Sequence, residues 1–274
     1  MRFLFGLLAL VLLCLGLYAF WIEPDSLRLR GYDIALAPAQ QLSDHPLSIA
    51  VIADLHAGAP YIDAAKIARV VALTQSAKPD LILMVGDYVA HEFPFRGPTS
   101  LPALTAGLRG LHAPLGVFAV LGNHDNAEST ENVTHALQEA GIIVMDDRST
   151  TLNVNGKTLS LVGFKDAYWS HPDVPTALMN VPQDTHALCF THSPDLFPGL
   201  PKTCALTLAG HTHGGQVWLP FLGRPIIPSQ YGQRYAAGRV DENGKTLFVS
   251  TGIGTSNFPV RFMVPPEISI LNVR

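Results

Sequence analysis

The chain has 274 residues, a formal net charge of −4 at pH 7 and 15% charged side chains. No block of lysine or arginine stands in it, which argues against binding long nucleic acid, since that needs a basic stripe to release counterions. Behind an apolar N-terminal run, the composition suits one globular domain with a substantial core.

Residues 3–22 contain no charged side chain and are long enough to cross a hydrocarbon layer as a helix. The run exceeds the apolar part of a signal peptide and no clean small-x-small cleavage site follows, so residues 1–22 read as an uncleaved, single-pass anchor in the cell membrane. Leu13 ahead of Cys14 argues against a lipoprotein signal. Arg2 on one side and Arg28 and Arg30 on the other nearly balance the positive-inside rule. The very short leading segment is expected to stay in the cytoplasm, with the rest of the chain on the far side. Cys189 and Cys204 lie within apolar runs and are expected as buried, reduced thiols rather than a disulfide.

Residues 23–46, with Pro24, Pro38 and Pro46 and no helical period, are expected to form a stalk before a domain spanning 47–274. Residues 48–53 then read as a strand, and Asp63 caps a helix in which Ile67, Val70, Val71 and Thr74 share one face. A strand over 81–85, a helix over 101–111 and a strand over 117–121 follow. The next helix runs from Ser129 to Ala140, stopped by Gly141. Strands are predicted over 142–145, 152–154 and 158–162, the last two joined at Asn155-Gly156. Further strands cover 187–191, 206–209, 247–250 and 268–273, with Asn243-Gly244 as a second turn. Helices alternating with strands early and hairpins later imply an α/β fold, a four-layer α-β-β-α sandwich of two mixed sheets flanked by helices.

Five apolar runs stop on side chains that bind metal: Asp54-Leu55-His56, Gly86-Asp87, Gly122-Asn123-His124-Asp125, Thr191-His192 and Gly210-His211-Thr212-His213. Strands that end on hard oxygen or imidazole donors, several times over, are how an open sheet assembles one site from distant sequence. Each piece alone has an ordinary explanation: a loop histidine for His56, a helix cap for Asp87, turn formation for the glycines. A donor set of oxygen and nitrogen without thiolate suits manganese, iron, zinc or a mixture.

In order and type, the five motifs resemble the calcineurin-like metallophosphoesterase superfamily, over residues 48–273. The resemblance implies two metal ions about 3.5 to 4 Å apart. Asp54, His56 and His213 would hold one, Asn123, His192 and His211 the other, and Asp87 would bridge them. It further implies hydroxide generated between the ions as the nucleophile. His124 would lie outside the coordination shell and assist the leaving oxygen, with Asp125 orienting its ring. His91 reads as a solvated loop residue, and His45, His112, His135, His171 and His186 receive no role.

The segment after Gln216, with Trp218, Leu219, Phe221, Leu222, Ile226 and Ile227 among prolines, is expected as a buried loop, the alternative being an apolar rim for lipid. Arg261 is open to two roles, a substrate phosphate contact or an ion pair securing the last strands. The C-terminal stretch resembles a membrane-anchored bacterial branch that includes phosphodiesterases and UDP-2,3-diacylglucosamine pyrophosphatase-like proteins of lipid A synthesis. The expected activity is hydrolysis of phosphodiester or pyrophosphate bonds in a small-molecule or lipid-linked substrate. A monoester or protein phosphatase is the enzymatic alternative, and a non-catalytic scaffold the competing class.

Overall fold

A computed structural model of the chain describes residues 2–37, 40–43, 45–90, 100–182 and 185–274. The N-terminal run is helical from Arg2 to Asp25 without interruption. It comprises α1 (Arg2–Leu17), one π-helical turn (Tyr18–Ile22) and the short α2 (Glu23–Asp25). Almost every apolar side chain of α1 is exposed, so no protein element covers it. The end of the helix is fastened down instead: Lys66 Nζ donates to the Asp25 carboxylate at 2.5 Å, and the buried Glu23 carboxylate accepts Met263 N–H at 2.8 Å.

The stalk expectation for residues 23–46 needs correction, because Arg28–Ile34 forms β1, an edge strand paired in parallel with the last strand of the chain. Its sequence, RLRGYDI, is mostly exposed and carries little hydrophobic alternation. Its place is set by backbone pairing that a pattern of side chains does not announce.

The rest of the chain supplies β2 (Leu47–Ile52), α3 (Ala64–Ser76), β3 (Leu81–Val85), α4 (Leu101–Leu108), β4 (Val117–Val120), α5 (Asn123–Glu139) and β5 (Ile143–Val144). It continues with β6 (Arg148–Val154), β7 (Lys157–Gly163), α6 (Val174–Leu178), β8 (Ala187–Phe190), β9 (Cys204–Ala209), β10 (Gly238–Glu242), β11 (Lys245–Val249) and β12 (Glu267–Val273). Two six-stranded mixed sheets result, ordered β1-β12-β2-β3-β4-β5 and β10-β11-β9-β8-β7-β6.

Strand β3 shows how the layers are built. Leu81, Leu83 and Val85 belong to the apolar cluster between the sheets, together with Leu188, Leu206 and Phe248 of the second sheet. Ile82 and Met84 turn the other way and pack with Ile67 and Val70 of α3, Leu104 and Leu108 of α4 and Val133 and Leu137 of α5. Burial on both faces is why such strands read as unbroken apolar runs.

Asp63 caps α3 as expected, accepting Lys66 N–H at 2.8 Å. Helix α5 begins at Asn123, six residues before its predicted start, yet Ser129 is extended and its hydroxyl caps the continuing helix through Asn132 N–H. The sequence signal at Ser129 therefore marks a real break inside one element.

Cys189 and Cys204 form a disulfide, correcting the reading of two reduced thiols. They occupy the neighbouring strands β8 and β9 with Cα atoms 5.6 Å apart, within the reach of a bridge. Closing this short loop is expected to contribute about 3 kcal/mol. Reductant should accordingly lower the denaturant midpoint of the wild-type protein and leave a Cys189→Ser/Cys204→Ser variant unmoved. Equal midpoints with and without reductant in the wild type would mean that the bridge does not stabilise the fold.

Candidate metal centre

Strands β2, β3 and β4 run parallel, as do β8 and β9, so the five motif-bearing segments emerge at the carboxyl ends of their strands. Asp54, His56, Asp87 and Asn123 follow strands of the first sheet, and His192, His211 and His213 follow strands of the second. The site therefore straddles the mouth of the inter-sheet core.

The donors meet in two groups. The ligand atoms of Asp54, His56 and His213 lie within 4.8 Å of one another, and so do those of Asp87, His192 and His211. In the first group His56 Nε2 is 3.1 Å from His213 Nε2, and His213 Nε2 is 3.7 Å from Asp54 Oδ1. In the second, His192 Nε2 is 3.1 Å from His211 Nδ1 and 3.0 Å from Asn123 Oδ1. Asp87 Oδ2 faces both, 3.6 Å from His56 Nε2 and 3.2 Å from His192 Nε2. Its Oδ1 is occupied by His124 N–H at 2.8 Å.

These spacings fit cations. Ligands at ~2.0–2.1 Å from one ion stand roughly 3 to 3.4 Å apart in octahedral or tetrahedral geometry. Lone pairs of ring nitrogens this close, buried among carboxylates, repel unless a positive charge sits between them.

Electrostatics agree with that reading. Burial lowers His56 and His211 to about 3 and His213 well below the usual range, which keeps these rings neutral, the form that ligates metal. Burial also pulls His192 down, but the adjacent Asp87 carboxylate and Asp54 outweigh it and push its pKa up to about 10. Since His192 Nδ1 lies 2.8 Å from the Val85 carbonyl and donates to it, the extra proton rests on Nε2, where a cation would displace it. Burial drives Asp54 up to about 7 against the attraction of His192. On Asp87 the same burial is overcome by His192, and its carboxyl is held well below the usual range.

The backbone is bent to present these groups. Asp54, His56, Asp87, His211 and His213 all adopt positive φ, between 49° and 69°, a region costly for residues with a side chain. Glycine makes room beside them. A Cβ on Gly252 would sit 2.6 Å from Asp54 Oδ2, and one on Gly122 would overlap Asp87 Oδ1.

Asp125 does not act as the sequence suggests. Its fully buried carboxylate accepts backbone N–H from Gly122 and Asp87 on Oδ2, at 2.9 and 2.8 Å, and from Tyr88 and Val89 on Oδ1, at 2.8 and 3.2 Å. It ties the β3 loop to the start of α5, and thereby positions Asp87, instead of holding the His124 ring. His124 lies edge-on to the His56 ring with centroids 4.8 Å apart, half-buried at the rim of the cluster. His91 falls outside the described residues.

Arg261 is bound to backbone carbonyls, with no ion pair among the described residues. Completely buried, its guanidinium donates to the carbonyls of Thr251, Gly252, Gly254 and Val264, holding the loop that carries Gly252 against Asp54. Sequence reasoning missed Tyr168, whose ring packs 5.4 Å from that of His211. The buried Asp166 sets this turn by accepting N–H from Tyr168 and Trp169 at 3.1 and 3.2 Å. The signal was weak: the apolar end of β7 runs to Phe164, but Lys165 stands between it and Asp166.

Fold and donor set together define a metal-dependent phosphoester hydrolase. The calcineurin-like phosphoesterase family profile matches residues 47–222, and the chain belongs to that family. It is 31% identical to phosphodiesterase YaeI of Escherichia coli, over 83% of this chain and 82% of that one. It is 28% identical to the metallophosphoesterase YkuE of Bacillus subtilis, over 94% and 89%. Identity to the UDP-2,3-diacylglucosamine pyrophosphatase LpxG of Chlamydia trachomatis is 25%, over 91% and 90%.

Proposed function

We propose that the chain is a membrane-anchored hydrolase of phosphodiester or pyrophosphate bonds that uses two divalent cations and acts on a small or lipid-linked substrate. The observation that carries this reading is Asp87 Oδ2, directed at both donor groups at once while the rest of its carboxylate is held by His124 N–H. Asp54, His56 and His213 would hold one ion and Asn123, His192 and His211 the other, with Asp87 between them. Such a pair supplies charge neutralisation for the phosphoryl oxygens and lowers the pKa of a water to near neutrality.

The chain's own residues do the rest. Asp125 fixes the Asp87 loop to the start of α5 through three N–H groups of that loop and that of Gly122, so the donors need not reorganise during the reaction. His124, at the rim, is suited to give a proton to the departing oxygen. The exposed apolar helix supports the anchor, and the Cys189–Cys204 disulfide supports a domain on the oxidising, non-cytoplasmic side.

The test is purified full-length protein, loaded in turn with manganese, iron or zinc, assayed on four substrates: a simple diester, UDP-diacylglucosamine, a monoester and a phosphoprotein. Turnover of either of the first two above the monoester is expected. Preference for the monoester or the phosphoprotein would replace this reading with a phosphatase.

A further inference from the structure

The segment expected as a buried loop keeps Trp218, Leu219 and Ile227 half-buried and exposes Phe221, Leu222 and Ile226. Leu219 and Gly223 exchange backbone hydrogen bonds, at 2.8 Å in each direction, and close a tight hairpin whose tip is Pro220-Phe221-Leu222. Phe221 is fully exposed, and Leu222 and Ile226 are 74% and 78% exposed. Nearby in the fold, Phe258 and Met263 are also exposed. Phe221 and Met263 moreover hold left-handed backbone conformations, φ 69° and 58°. A bulky side chain in that region is strained, and here the strain turns apolar groups towards solvent instead of into a core.

This surface is continuous with the base of the N-terminal helix. Trp218 N–H donates to the Phe262 carbonyl at 2.9 Å, Val217 bridges Phe262, and the Gln216 amide donates to the Phe258 carbonyl. The same stretch then grips the helix. Arg261 N–H donates to the Ala19 carbonyl at 2.9 Å, the Phe262 ring packs edge-on against Tyr18, and Met263 N–H binds Glu23. Ala19 offers its carbonyl within the π-helical turn, where the regular ladder is broken. Hairpin, 258–263 loop and helix base are thus one hydrogen-bonded unit. Tyr18, Phe20 and Trp21 mark the end of the apolar span, where aromatic rings sit at a membrane–water boundary.

Resting on the membrane-anchor reading above, we propose that the Leu219–Gly223 hairpin, with Ile226, Phe258 and Met263, is a second membrane contact, inserted into the leaflet from which the helix emerges. A bilayer is the occupant that fits. The apolar side chains are separate knobs around a hairpin tip, and the helix fastened to them holds them at the height of its own boundary residues. Helix and hairpin together fix the orientation of the domain. The hairpin begins six residues after His213, so this orientation also brings the metal centre towards the lipid headgroups.

The full-length chain with Cys14→Ser is the background for single-cysteine fluorophores at Leu12→Cys in the helix, Leu222→Cys and Ile226→Cys in the exposed stretch, and Asn155→Cys. Asn155 lies in the β6–β7 turn, at the end of the second sheet away from the site. Proteins are reconstituted in phosphatidylethanolamine/phosphatidylglycerol vesicles with or without nitroxide-labelled acyl chains. Probes at 12, 222 and 226 are expected to lose most of their fluorescence to the nitroxide, and the probe at 155 little. Quenching at 12 with none at 222 or 226 would overturn the second contact and leave the anchor standing. Quenching at 222 and 226 without quenching at 12 would retain the contact and remove the anchor. Quenching at none of these positions would overturn both.

Discussion

Asp87→Asn is expected to leave fewer than two metal ions per chain and to lower kcat by at least roughly a hundredfold. Asparagine can still accept the His124 N–H that Asp87 Oδ1 accepts at 2.8 Å, so the loop has no reason to rearrange. What changes is Oδ2. An anionic oxygen facing His56 and His192 becomes a neutral amide that either donates towards the site or offers one weak acceptor. The charge proposed to offset two cations at once is gone. Metal-assisted stabilisation of a transferring phosphoryl group amounts to several kcal/mol, and each 1.4 kcal/mol is about tenfold in rate. Metal analysis and turnover measured on one preparation decide the matter. Two ions at full occupancy with the wild-type rate would refute the bridging role.

His124→Ala should separate binding from chemistry. Its ring nitrogen lies within 4.8 Å of the donor atoms of His56 and Asp87, near enough to act either as an acid at the rim or as an extra ligand. If it acts as an acid, both ions stay while kcat falls roughly a hundredfold or more, the range for a lost general acid. The loss should then depend on the leaving group: p-nitrophenolate departs without a proton, so its diester should suffer much less than an alkyl diester. Equal losses on the two substrates would argue against proton donation. Loss of one ion would make His124 a ligand.

The clustering of these side chains was legible in the sequence because they follow strands buried on both faces, and such strands leave uninterrupted apolar runs with an abrupt polar stop. Asp54, Asp87 and His192 stand out for that reason. The role of Asp125 was not legible. A carboxylate next to a histidine invites pairing with that ring, whereas the loop after β3 aims three N–H groups at it and Gly122 a fourth, and no residue pattern encodes where amides point. The carbonyl partners of Arg261 were not legible for the same reason, since they lie in a loop. β1 escaped notice because edge pairing needs no apolar face. The disulfide was hidden because two cysteines in apolar runs look alike whether or not their strands are neighbours.

Asp54, His56, Asp87 and Asn123 ride on one sheet and His192, His211 and His213 on the other. His211 N–H reaches across to Asp54 at 2.9 Å, and the His192 ring to the Val85 carbonyl at 2.8 Å. Cations held by the proposed ligands would therefore clasp the two halves of the sandwich at the open end of the inter-sheet core. Taking them away would remove ligand bonds that cross that joint, leaving only the hydrogen bonds and the His192–Asp87 pair to hold it. With metal bound there, the chain's survival against proteases, and not only its turnover, would be tied to the supply of metal.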